Sequence, residues 1–222
     1  MNRFVRRALF VPALCLAACT GSLFRSHATA TAYMLSAGPA SHGEPAPAAG
    51  RPAPGAPAAE IPVDLAVLKP KARPGLESDR IAVLYPDRRL DYFADARWSG
   101  PLGEVLQELA VQEFHSHANL RTVSGDASVF ASAYWLEIEI TDFQAEYTSA
   151  ATTPTVRVSL RARLGSSGDR HLVGQFAATA LKAAAENRLS SIVDAFASAA
   201  DASLTQIATQ AGEKLATVSE AR

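Results

Sequence analysis

Between Tyr134 and Leu164 the sequence twice alternates with a period of two, and this limits the fold more than any other feature. Tyr134, Leu136, Ile138 and Ile140 interleave with Trp135, Glu137, Glu139 and Thr141. Val156, Val158, Leu160, Ala162 and Leu164 then interleave with Arg157, Ser159, Arg161 and Arg163. Successive side chains of a strand point to opposite faces, so the pattern predicts two long strands with one buried face each. Their link, around Ser149 to Pro154, predicts an antiparallel hairpin. A turn centred near residue 150 sets Glu139 beside Arg161 and Glu137 beside Arg163, and opposed charges in that register support pairing by a few tenths of a kcal/mol each, on the order of 0.2 to 1. A third strand, His171 to Leu181, follows the Gly165-Ser166-Ser167-Gly168-Asp169 turn, and pairing in sequence order gives a meander.

Upstream, Ala32 to Leu35, Val63 to Leu68, Arg80 to Tyr85 and Arg89 to Phe93 read as strands bounded by Pro62, Pro70, Pro74 and Pro86. Two stretches switch to helical spacing. The first starts at Pro101, with Gly100 or Ser99 at its cap, and carries Leu102, Val105, Leu106, Leu109, Ala110 and Phe114 on one side. The second begins at Ser190 or Ser191 and runs to the end with Ile192, Phe196, Ala199, Ala200, Leu204, Ile207, Ala208, Ala211, Leu215 and Val218 on one face. At about 1.5 Å per residue it reaches roughly 40 Å, enough to cross a sheet. The expected class is α+β: an antiparallel or mixed sheet with two helices packed on it, in a single domain.

The N-terminus carries a different message. Arg3, Arg6 and Arg7 precede the apolar run Ala8 to Leu16, which is the charged and hydrophobic pair of a secretory signal, too short for the roughly 20 residues of a membrane span. Leu16-Ala17-Ala18-Cys19 then matches a bacterial lipobox, with cleavage between Ala18 and Cys19 and a covalent lipid on the Cys19 thiol. Two or three acyl chains hold a protein on a membrane permanently. Residues 1–18 are thus a lipoprotein signal peptide and 19–31 a lipidated tether, followed by a domain over 32–222 with a Pro/Ala-rich loop at 38–60. Removing residues 1–18 lowers the basic count from 21 to 18 against 22 acids, so the 204-residue mature chain carries −4. That balance argues against nucleic acid. The two cysteines, Cys15 and Cys19, both lie near the start, which leaves the body without thiolate metal sites or cysteine nucleophiles. Thr20 stands where an aspartate holds many lipoproteins in the inner membrane, so the expected location is the periplasmic face of the outer membrane.

The order of elements, with the wording Arg80-Ile81-Ala82-Val83 through Leu90-Asp91-Tyr92-Phe93-Ala94-Asp95-Ala96-Arg97-Trp98-Ser99-Gly100-Pro101-Leu102, resembles the ABC-type transport auxiliary lipoprotein family. Tyr33-Met34-Leu35, the Pro/Ala-rich gap and Ile192-Val193-Asp194-Ala195-Phe196 fit the same resemblance, so it spans nearly the whole mature chain. The resemblance implies a periplasm-facing lipoprotein working with an MCE-domain protein, an inner-membrane permease and an ATPase to move lipids between membranes. It brings no catalytic residues. A homo-oligomer fits the same implication, because MCE proteins act as rings. The chain has no Walker P-loop of its own. An outer-membrane biogenesis lipoprotein that assists or plugs a β-barrel is the alternative of a different class, and an envelope hydrolase a third.

Tyr92, Arg97 and Trp98 form the candidate partner-binding or core motif. An indole just before a helix fills the gap between strand and helix, or serves as a partner hot spot. Trp135, on the Glu-bearing face, is expected under the tether, a helix or a partner chain. His115 and His117 bracket a helix end, where partly charged imidazoles stabilise the terminus; two imidazoles without a third ligand do not make a metal site. Glu137 and Glu139 read as solvated ion pairs rather than catalytic carboxylates. No Gly-x-Ser-x-Gly elbow is present, and no metal or cofactor beyond the lipid on Cys19 is expected.

Overall fold

The computed structural model describes residues 30–36, 60–125 and 131–220. Among them, the elements run β1 (Thr31–Tyr33), β2 (Ile61–Val67), β3 (Lys71–Ala72), β4 (Arg80–Leu84), β5 (Leu90–Trp98), α1 (Leu102–His117), β6 (Leu120–Ser124), β7 (Tyr134–Glu146), β8 (Thr155–Ser166), β9 (Leu172–Ala183) and α2 (Leu189–Glu220). The fold is α+β, with a mostly antiparallel but mixed sheet and two helices. The signal peptide, Ala18, Cys19 and residues 38–59 of the Pro/Ala-rich loop lie outside the described residues.

The two alternating stretches form the centre of the sheet. β7 and β8 pair antiparallel, and β9 continues the order on β8. The register places Glu137 opposite Arg163 and Glu139 opposite Arg161. Only the first of these becomes an ion pair, Arg163 to Glu137 at 2.9 Å; Glu139 and Arg161 share the register without closing one. Lys71 takes the other oxygen of Glu137 at 2.7 Å. A bulge between Ile140 and Asp142 bends β7. There Gln144, 6% exposed, accepts from the Phe143 N–H and donates to Asp142 and Glu146, so the disrupted ladder leaves it satisfied.

The meander ends at β7, and this makes the sheet mixed. Along its other edge, β7 takes β2, β3 and β4 in succession, all parallel, at Tyr134–Leu136, Glu139–Ile140 and Gln144–Glu146. β6 extends β2 in parallel, while β5 extends β4 antiparallel and carries β1 in parallel. Parallel neighbours need crossovers rather than tight turns, and α1 lies within those from β2 to β6 and from β4 to β7. β3 and β6 have no alternating signature of their own: β3 is two residues, and β6 is five with charged and small polar side chains between Leu120 and Val123. β5 runs five residues past the predicted Phe93, through a register shift and a left-handed Asp95 (φ 53°). The irregularity hides the second half of the strand from a period-two reading.

Pro101 occupies the N-cap of α1 itself, in place of the predicted Gly100 or Ser99, and no side chain caps it. The cap is supplied from outside: the Leu102 N–H donates to the Ser78 carbonyl at 3.2 Å, while the Pro101 carbonyl accepts from Glu104 and Val105. Gly103 follows because a Cβ there would stand 2.5 Å from the Pro70 carbonyl oxygen. At the other end, Asn119 adopts φ 49° after the Ala118 cap, a left-handed stop that asparagine tolerates.

Both helices cover one face of the sheet. α2, about 48 Å long for its 32 residues, packs on β8, β9 and α1, and α1 lies over β2, β3 and β6. One hydrophobic cluster joins Leu65, Leu136, Ile138, Ile140, Val158 and Leu160 of the sheet to Leu106 and Phe114 of α1 and Phe196, Leu204 and Ile207 of α2. Gln107 of α1 donates to the carbonyls of Val67 and Gly125 at 2.9 and 2.6 Å, tying the helix to β2 and to the end of β6.

Candidate functional site

The motif 92–98 divides into a buried part and a surface part. Trp98 closes β5 and is 1% exposed. Its N–H of the backbone donates to Asp79 at 2.7 Å, and its indole meets Phe143 and Phe196 edge-on at 5.8 and 5.2 Å between centroids. Phe143 and Phe196 stack at 5.1 Å. Trp98 is therefore part of the core that fastens β5 and β7 to α2, since aromatic edge-to-face pairs add to the area they bury.

Tyr92 and Arg97 sit nearer the surface. The Tyr92 hydroxyl donates to the Gly75 carbonyl at 2.8 Å, and the guanidinium of Arg80 lies 3.8 Å from the centre of its ring. This fixes the left-handed turn at Gly75 (φ 92°) over the start of β5. Arg97, half exposed, faces Asp79 at 3.8 Å. The three residues do not converge on one cavity: Trp98 points into the core, and Tyr92 and Arg97 brace loops on the outside.

The helix-free face of the sheet has more chemistry than the motif. Glu137, Glu139, Arg161, Arg163, Gln175 and Ala177 follow one another across β7, β8 and β9, with Lys71 and Arg73 on the β3 side. Lys71 and Arg163 hold the Glu137 carboxyl below the ordinary carboxylate range, Lys71 through a hydrogen bond being the larger cause. Trp135 belongs to this face. Its indole stands over Gly165 of the neighbouring strand, where a Cβ would come within 2.1 Å of the ring, so it rests against its own sheet and stays half-buried. The signal for this was in the sequence, a glycine opposite an aromatic in the predicted hairpin register.

Glu113 sits between the helices, 3% exposed. It accepts from the Thr205 hydroxyl at 2.8 Å, and Nδ1 of His117 lies 3.1 Å from the same oxygen. Burial pushes its carboxyl up, with the nearby Asp201 acting in the same direction. Periodicity gave no warning of it, because a glutamate at position 113 looks like part of the polar helix face. His117 thus turns back on its own helix, and His115 stays exposed. Among the described residues, no three His, Cys, Asp or Glu side chains are placed to hold a metal ion.

Comparison with known proteins places this arrangement. The model of the ABC-type transport auxiliary lipoprotein component matches residues 44–208. The structure is similar to that of the protein XCC0632 from Xanthomonas campestris, with 25% identity, 73% of this chain and 89% of that one covered, and a TM-score of 0.60. A crystal structure of an uncharacterized protein shares the fold at 16% identity and a TM-score of 0.52, covering 72% of this chain and 95% of that one. No curated protein matches the chain. The matched segment takes in every element from β2 to the middle of α2, and the chain belongs to the ABC-type transport auxiliary lipoprotein family.

Proposed function

We propose that the chain is an outer-membrane-anchored auxiliary lipoprotein of an MCE-type ABC transport system that moves lipids between the inner and outer membranes. It serves as a docking component and carries out no catalysis. The observation that carries the reading is the family membership over residues 44–208 together with the Leu16-Ala17-Ala18-Cys19 lipobox. A diacylglyceryl group on Cys19, with a further acyl chain on its amine, keeps the domain at the periplasmic face. Among the described residues no helix is long and apolar enough to cross a membrane, and the sequence has no P-loop to bind ATP. Energy and membrane passage come from partners: an ATPase, a permease and an MCE-domain protein. The domain contributes a rigid surface, either the helix layer or the open sheet face, held at a tether's length from the bilayer.

Affinity capture of the tagged full chain from detergent-solubilised envelopes tests this. The expected result is co-purification of an MCE-domain protein with its permease and ATPase. Recovery of a β-barrel protein in their place would instead support a role in outer-membrane assembly.

A further inference from the structure

The open face of the sheet holds a trough of about 770 Å³ between the β3 segment and β9. Four cations line it, Lys71, Arg73, Arg161 and Arg163, against two carboxylates, Glu137 and Glu139. The cations are not equivalent. Glu137 bridges Lys71 and Arg163, and Arg73 is drawn out to Asp142 at 3.5 Å and to the Thr141 carbonyl. Arg161 forms no ion pair among the described residues, although it stands midway along the trough floor, between Glu139 on β7 and Ala177 on β9.

The rows on either side give the trough a direction. Arg161 pairs across the strands with Glu139, Arg163 with Glu137, and Gly165 with Trp135. Side chains two apart share a face, so three rows step from an open cation, through a braced ion-pair lattice, to the indole of Trp135 over Gly165, just beyond the residues that line the trough. Leu172, 40% exposed, pairs with Gly165 from the β9 side. A guanidinium with free donors beside a flat aromatic surface suits an oxyanion attached to an apolar or ring-like portion.

We propose that this trough binds a ligand whose phosphate group carries net negative charge, held by Arg161 and supported by Arg163 and Lys71, with the adjoining part of the ligand against Trp135. Glu137 acts as a positioning residue: its carboxylate fixes the two neighbouring cations and offsets part of their charge. The site stands on the sheet face alone and does not depend on the transport reading.

Trp135 supplies the readout, because the only other tryptophan, Trp98, is buried. The full chain in non-ionic detergent micelles is titrated with inorganic phosphate, and separately with phosphatidylglycerol or phosphatidylcholine added to the micelles, while tryptophan fluorescence is followed. The expected result is a saturable change that weakens with added salt. A response to inorganic phosphate identifies a free phosphate ligand; a response to phosphatidylglycerol alone identifies a lipid headgroup. Arg161→Glu should weaken binding by about tenfold or more, as expected for loss of a charge-assisted contact, and Arg161→Gln should weaken it less. Arg161→Gln should keep the wild-type melting temperature, since no ion pair is broken, whereas Arg161→Glu, facing Glu139 across the strands, should lower it slightly. Lys214→Glu, on the exposed face of α2, should bind as wild type, and Trp135→Phe should lose the signal. No saturable response to either anionic probe, an equal response to phosphatidylcholine, or unchanged binding by Arg161→Glu would overturn the proposal.

Discussion

The indole of Trp98 stands edge-on to the ring of Phe196, with centroids 5.2 Å apart and planes at 82°. One residue closes β5 and the other lies in the second turn of α2, so the contact joins the N-terminal wing of the sheet to the C-terminal helix. Phe143 of β7 touches both rings.

Trp98→Ala should therefore cost about 3–5 kcal/mol of stability, the range for removing a large buried aromatic. Trp98→Phe, which keeps a ring, should cost less. Urea unfolding of the three proteins checks the order; wild-type stability in Trp98→Ala would remove Trp98 from the core.

How much of this was legible in the sequence follows the same division. Long regular strands announce themselves, so the register of Glu137 with Arg163 is legible in the alternation alone. The course of β5 beyond Phe93 could not, because a left-handed Asp95 breaks the alternation. Parallel pairing of β2, β3 and β4 on β7 was equally hidden: it depends on where crossovers land, and no local propensity records that. The same holds for the trough, whose two sides, Lys71 to Pro74 and Gln175 to Ala177, lie about 100 positions apart in the chain. The proposed lipobox, by contrast, is a local signal, one that enzymes read rather than packing.

Gly165→Ala should force the Trp135 indole off the sheet, since the new Cβ would sit 2.1 Å from it. A loss of about 1–3 kcal/mol is expected, as for overpacking, with a red-shifted Trp135 emission. Trp135→Ala in the same chain should relieve the clash. A double-mutant cycle measures the coupling; additive losses would show that the ring does not rest on Gly165.

Glu113 and Glu137 should give opposite dependences on pH. Burial raises the Glu113 carboxyl above its ordinary 4.5, so the folded state favours the protonated form. Its contribution is fully present below the unfolded value and is lost as pH rises through the raised folded value. Glu113→Gln should remain hydrogen-bonded to Thr205 and lack this loss, gaining on wild type as pH rises. Melting temperatures of the pair across that interval check it, and a constant difference would contradict it.

The Glu137 carboxyl is held below 4.5 by Lys71 and Arg163. The folded state there favours the charged form, so its stabilisation is present above the unfolded value and is lost as pH falls through the depressed folded value. Glu137→Gln should cost about 0.2–1 kcal/mol for each exposed partner at neutral pH, and the difference from wild type should vanish in acid. The same melting series reads this.

The central claim is that the chain works from a lipid anchor as a partner of a transporter. Wild type and Cys19→Ala, expressed with the same affinity tag, are followed through alkaline-washed membranes, and each is captured from the solubilised fractions. The account predicts wild type in the outer membrane with an MCE-domain protein bound, and Cys19→Ala in the soluble fraction. Cys19→Ala retained in washed membranes, or wild type captured without any MCE-domain protein, would contradict it.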